Sequence, residues 1–281
     1  MINFNCGLIL KVGIYFFSGT GVTGQFASRM EGLFNHKGVE ARYFDITPLK
    51  NRKADLEEFD LYLFGFPVYS GVIPSVTRDW VKSLNGKGKH CALFFTYGGV
   101  TMGVAHYHTK LLLEKQGFKV IGSAEFPGRH TFNVAKGFEL LPNRPNDDDF
   151  VISDEYVDKL IKKLKSKKFD EITIDKPEMF DEFAEKLKNW KKSPTSFVPT
   201  RNGKECRLCG DCEEFCATGA FNHETGEADP QPCISCLHCT VICRDQVIVI
   251  NNDMTEMQSN ITAHFKLTDE VLEQRKSILF V

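Results

Sequence analysis

Cysteine is scarce in the first two hundred residues, where only Cys6 and Cys91 occur, so no disulfide framework braces the larger part of the chain. Excess positive charge is missing as well: 35 basic residues against 37 acidic ones give a formal charge of -2, which leaves no net field to hold nucleic acid or an anionic membrane. Long apolar runs are also absent, and no stretch reaches the ~20 residues a bilayer crossing needs. The opening MINFNCGLILKVGIYFF has no basic region ahead of its hydrophobic part and runs into a glycine-rich turn, so it reads as a buried strand and not as a secretory leader. No lysine follows that turn, which excludes a nucleotide-triphosphate loop. Nor does any pair of residues resemble a catalytic acid and base.

What the chain does have is enough apolar material, 42% of 281 residues, for one domain of ordinary size and a smaller one. From Lys11 to about Ile152 short apolar runs alternate with amphipathic segments, the pattern of an open parallel sheet with helices on both faces. The strands are VGIYFFS, VEARYFDI, LYLFGF, CALFFTY and KVIGSAEF. Helices are expected from Gly24 to about Lys37, from Ala105 to Gln116 with Gly117 as the stop, and from an N-cap at Ser153 to about Lys168. That last helix would bury Tyr156, Val157, Leu160, Ile161 and Leu164, while Asp147 to Asp149 read as a solvated loop and the lysines from Lys159 as an exposed helix end. These segments define four regions: a domain over residues 1–168, a partly helical linker over 169–200 with Phe180, Phe183, Leu187 and Trp190 on one face, a cysteine-rich domain over 201–252, and a tail over 253–281. The tail offers one short helix from near Thr268.

The other eight cysteines form two runs, CRLCGDCEEFC and CISCLHCTVIC, of identical C-x2-C-x2-C-x3-C spacing. Three closely spaced thiolates wrap one face of a 4Fe-4S cubane while the fourth points away and serves the other cluster. Cys206, Cys209, Cys212 and Cys243 are therefore assigned to one cluster, and Cys216, Cys233, Cys236 and Cys239 to the second. Gly210 suits a tight loop over cluster sulfurs, and Phe221, Ile234 and Val247 are placed to exclude water. Structural zinc, the alternative, takes four ligands and has no use for a third cysteine two residues on, twice. His238 reads as a polar loop residue. The region from about Lys204 to Ile250 resembles the bacterial two-cluster ferredoxins, a small α+β fold, with ATGAF where that family usually has PTGAI. Both usual prolines after the fourth cysteine are replaced, by Ala217 and Arg244. Thiolate-bound iron needs a reducing compartment, so a cytoplasmic protein in an anaerobic setting is expected.

The stretch FFSGTGVTGQ follows the first strand and opens a helix, so its backbone N–H groups converge on an anion. Gly19, Gly21 and Gly24 satisfy GxGxxG and Asp45 lies about twenty residues on, which keeps a dinucleotide site open. Against it, Ser18, Thr20 and Thr23 interleave neutral hydroxyl donors that suit a terminal phosphate. Two later loops, PVYSGVIP from Pro67 and TYGGVTMG from Thr96, end strands on the sheet edge where α/β folds bind ligands. Together the three loops resemble the flavodoxin-like fold over roughly residues 11–168. The resemblance implies FMN, with Ser18, Gly19, Thr20, Gly21, Val22 and Thr23 around the phosphate. Pro67, Val68, Tyr69, Ser70 and Gly71, with Thr96, Tyr97, Gly98 and Gly99, would then border the ring. The alternative leaves Tyr69 and Tyr97 as ordinary strand-end aromatics in a flavin-free docking or sensing module. His106 and His108 lie just beyond the third loop and read as solvated, Cys91 as a packing thiol, and Cys6 carries no motif.

The whole arrangement resembles the fused flavodoxin/ferredoxin proteins of anaerobes. It implies an oxidoreductase that carries electrons between two 4Fe-4S clusters and FMN, with redox proteins or small electron acceptors as partners. A flavoenzyme reducing a small acceptor such as a quinone stands as the alternative.

Overall fold

The computed structural model describes residues 9–189 and 193–281; Cys6, Trp190 and the first eight residues of the opening segment lie outside them. Five strands, β1 (Lys11–Phe16), β2 (Glu40–Asp45), β3 (Leu61–Pro67), β4 (His90–Tyr97) and β5 (Lys119–Pro127), form a parallel sheet in the order 2-1-3-4-5. β1, β3, β4 and β5 run nearly continuously apolar because both faces are covered, whereas the edge strand β2 buries only Ala41. On one face α1 (Val22–His36) brings Phe26, Met30 and Phe34 against Tyr156, Val157 and Leu160 of a long later helix. On the other, α2 (Ser75–Ser83) and α3 (Ala105–Lys115) bury Trp80, Val81 and Leu113 against Phe64, Phe66 and Phe95. This is the flavodoxin-like order, not the 3-2-1-4-5 of dinucleotide-binding sheets. The Asp45 carboxylate is engaged locally instead, its Oδ1 accepting from Thr47 N at 2.8 Å to close the turn after β2.

The long helix, α4, spans Asp147–Ser166 and begins six residues before the expected Ser153 cap. Asn146 Oδ1 accepts from Asp149 N while the Asp149 carboxylate accepts from Asn146 N, a reciprocal capping box. Asp147 to Asp149 are thus the first helical turn, where negative charge suits the dipole. Asp149 is 1% exposed because Arg144 and Ser277 engage its carboxylate. Ser153 is buried inside the helix. The five apolar residues expected on its inner face are all buried.

Beyond α4, α5 (Phe180–Asn189) lays Phe180 against the ring of Tyr107. A second, four-stranded antiparallel sheet follows, built from β6 (Pro199–Thr200), β7 (Phe221–Asn222), β8 (Glu227–Ala228) and β9 (Val249–Ile250), with short helices α6 (Asp211–Glu214) and α7 (His238–Ile242) between them. The tail then forms α8 (Thr255–His264) and α9 (Asp269–Glu273), the latter capped by Thr268 Oγ1 accepting from Val271 N. It ends as β10 (Ile278–Phe280), which pairs antiparallel with β5 and makes the larger sheet six-stranded. Among the described residues no helix is long and apolar enough to cross a membrane.

Candidate functional site

The C-terminal ends of β1, β3 and β4 deliver their loops to one cavity of about 600 Å³, inside the range of small-molecule sites. In the first loop Ser18, Thr20 and Thr23 are each under 7% exposed and tied in place. Ser18 N donates to Thr47 Oγ1 at 2.8 Å, Ser18 Oγ accepts from Gly24 N at 3.1 Å, and Thr23 and Thr96 share a hydroxyl–hydroxyl bond at 2.7 Å. Gly21 takes φ +97° at the start of α1 and supplies no side-chain cap, so with Gly24 N held by Ser18 Oγ the Val22 and Thr23 N–H groups are left for another acceptor. It does not itself line the cavity.

The second loop is a tight turn with Ser70 and Gly71 both at positive φ, closed by Tyr69 N donating to Val72 O at 2.7 Å. It interlocks with the third: a methyl on Gly103 would stand 2.5 Å from Gly71 Cα, so only glycine permits the approach. Pro67, Val68, Tyr69, Ser70, Gly71, Thr96, Tyr97 and Gly98 line the cavity together with Ser18, Gly19, Thr20, Val22 and Thr23. Gly99 turns away, packed on Leu141 and Leu272, with its carbonyl accepting from Arg275 Nε at 2.9 Å. The two tyrosines are less open than their setting among glycines suggests. Tyr97 is 7% exposed, and burial with Glu125 nearby pushes its hydroxyl up to about 12. Tyr69 has a half-buried ring, a buried hydroxyl that lacks a well-formed hydrogen bond, and an acidity suppressed chiefly by that burial.

A fourth wall, from the segment after β5, has no counterpart in the sequence expectations: Gly128, Arg129, His130, Thr131 and Phe132. His130 Nδ1 accepts from Phe132 N at 3.1 Å, and burial pulls the imidazole down to about 4. A backbone N–H only donates, so the neutral ring carries its proton on Nε2. His106 and His108, by contrast, do not line the cavity, nor are they solvated as expected. His106 is buried between Ser123 Oγ (2.7 Å) and Glu125 Oε2 (2.8 Å), and burial pulls His108 down to about 4. The rest of the lining comes from Met179 and Phe183 of the α5 region, Met257, Ile261, His264 and Phe265 of the α8 region, and Ile234 and Ser235 of the second cysteine run.

The eight clustered cysteines line two further small cavities. Cys206, Cys209, Cys212 and Cys243 surround one, beside Phe221 and Val247; Cys216, Cys233, Cys236 and Cys239 surround the other, beside Ile234 and Leu237. The internal repeat is visible in the backbone, since Leu208 and Gly210 of the first run and Ser235 and Leu237 of the second all take positive φ. Arg201 Nη1 donates to Cys206 Sγ at 3.0 Å and Ser235 N to Cys233 Sγ at 3.4 Å. Arg244, at a usual proline position, pairs with Asp211 at 2.8 Å. Among the described residues no three or more His, Cys, Asp or Glu side chains converge on a point for a single metal ion. A cubane's four thiolates sit on four different irons and do not converge in that way.

By fold the chain is flavodoxin-like over its first part, with a small cysteine-rich α+β unit after it. No protein-family model matches it, and no curated protein matches it. Solved structures similar to it include a flavodoxin from the domain Archaea (16% identity over 56% of this chain and 99% of that one, TM-score 0.42). Another is rubredoxin oxygen:oxidoreductase from the anaerobe Desulfovibrio gigas (17%, 56% of this chain and 36% of that one, TM-score 0.42). Two-electron reduced Megasphaera elsdenii flavodoxin is a third (24%, 53% and 98%, TM-score 0.38).

Proposed function

We propose that the chain is an iron-sulfur flavoprotein that carries electrons between two 4Fe-4S clusters and FMN. The observation that carries this reading is the adjacency of unlike sites: a cavity rimmed by the three strand-end loops shares Ile234 with a cavity lined by four thiols. The residues fit each group. Neutral hydroxyls and the Val22 and Thr23 N–H groups at the start of α1 suit a phosphate, and the orphan Tyr69 hydroxyl is the sort of group a ligand satisfies. Two thiol quartets with N–H donors to sulfur suit cubanes. When bound, the clusters supply single electrons and the flavin one or two, so the chain would join one-electron carriers to two-electron partners. Arg129, whose Nη2 donates to Thr20 O at 3.2 Å, brings positive charge beside the phosphate loop.

A second reading, reduction of a small planar acceptor, is favoured by the apolar lining that Phe183, Met257, Ile261 and Phe265 give the cavity. The test of both begins with iron, sulfide and flavin content and the visible spectrum of protein reconstituted without oxygen. About eight irons and one FMN per chain are expected. Iron without retained flavin removes the electron-carrier reading and leaves the first domain a docking or sensing module. Selective turnover with one class of small acceptor would favour the enzyme.

A further inference from the structure

The two cysteine runs repeat each other in sequence but are placed unequally. In the first, Leu208 is 55% exposed and Cys209 is exposed; in the second, Leu237 is 1% and Cys236 9% exposed. Leu237 is buried in a cluster with Ala135, Phe138, Leu140 and Met254, and Cys236 stands against the first loop of the larger domain. A methyl on Gly19 would lie 2.2 Å from Cys236 O and 2.8 Å from Tyr69 Oη, so the glycine is needed for the two chains to touch. Beside that contact His238 Nδ1 lies 3.1 Å from Gly19 O. A carbonyl only accepts, so Nδ1 donates. The equivalent position of the first run is Asp211, which is engaged by Arg244 within its own domain.

This bond has a directional effect. The peptide between Gly19 and Thr20 is planar, so its carbonyl and the Thr20 N–H point opposite ways. Holding Gly19 O toward His238 turns the Thr20 N–H away from the quartet. The other side of the same quartet is braced too: Leu49 N donates to Cys216 O at 3.2 Å, and Arg52 Nη2 bridges Ala217 O (2.6 Å) and Thr47 O (2.7 Å). Thr47 in turn holds Ser18 N.

We infer that the Cys216/Cys233/Cys236/Cys239 quartet and the phosphate loop are one coupled unit, with His238 the positioning residue that presents the loop's N–H groups to a phosphorylated ligand. The inference rests on the proposed flavin and cluster sites. It assigns the coupling to one quartet and its ligand preference to the phosphate, since the His238 bond is made to the loop's backbone.

The experiment titrates full-length, iron-loaded protein with FMN and with riboflavin, following flavin fluorescence. His238→Ala is expected to weaken FMN about tenfold and riboflavin less than about twofold, at unchanged iron content. His238→Asn, which keeps a donor near Gly19 O, should recover most of the loss, and Asp211→Ala should leave both affinities as in the wild type. In wild-type protein saturating FMN should slow chelator removal of about half of the iron, because coupling is reciprocal. Equal losses for FMN and riboflavin, an equal effect of Asp211→Ala, or chelation insensitive to FMN would each overturn the inference while leaving both groups bound. Failure of either group to bind sinks the underlying functional reading as well, and the iron and flavin analysis identifies that case.

Discussion

His130 shows how one backbone donor sets the chemistry of a side chain. Gly98 makes room for the ring, since a methyl there would lie 2.4 Å from His130 Cδ2, and Phe132 N fixes the tautomer. Burial holds the folded imidazole at about 4, below the ~6.5 of an unfolded chain. Its contribution to stability is therefore fully present above pH ~6.5 and is lost as pH falls toward 4, because only the unfolded chain binds the proton in that window. His108, also held at about 4, acts in the same direction. His130→Gln should flatten urea-unfolding stability between pH 6.5 and 4 by about 2–3 kcal/mol, and a variant whose profile stays parallel to the wild type would refute the assignment. At this scale the site was partly legible. Ser18 to Thr23 announce themselves because hydroxyls and glycines alternate right after a strand. His130 sits in an aperiodic loop, and only the fold brings it beside Gly98.

At the scale of elements, β1, β3, β4 and β5 were readable as local runs of buried residues, and α1 by the helical spacing of Phe26, Met30 and Phe34. The start of α4 was misjudged because Asn146 caps it through a residue three positions on, ahead of the apolar face that marks the helix. β10 was invisible for a different reason. Three residues have no usable period, and what makes Ile278–Phe280 a strand is the free edge of β5, far away in sequence. There Phe280 packs edge-on to His106 at 4.9 Å, Ser277 Oγ bonds Asp149, and Arg275 holds the carbonyls of Gly99 and Val100. Deleting residues 277–281 should cost about 2–4 kcal/mol, chiefly from the lost packing of Leu279 and Phe280. Thermal unfolding would show it as a fall of several degrees in midpoint. An unchanged midpoint would mean that β10 only decorates the edge.

At the scale of the molecule the question is whether the two domains act as one body. The exposed pair between Lys50 and Glu214 crosses the junction but contributes little, since both side chains remain about half exposed. The junction is held elsewhere. Ala217 and Cys236 belong to the same buried cluster as Phe17, Phe64 and Trp80, so the small domain completes the core of the large one. Arg52 is the polar counterpart: its guanidinium donates to Ile46 O, Thr47 O and Ala217 O, and burial lowers its pKa despite the nearby thiols of Cys236 and Cys216. Removing it strands three part-buried carbonyls at a cost of about 2–3 kcal/mol, more than the exposed ion pair could restore. Arg52→Ala should therefore split a single calorimetric transition of the loaded protein into two, with the cysteine-rich domain melting first, whereas Lys50→Ala should not. A single transition in Arg52→Ala, with its midpoint unmoved, would mean that the apolar contact alone binds the domains and that the guanidinium is dispensable to their cooperation.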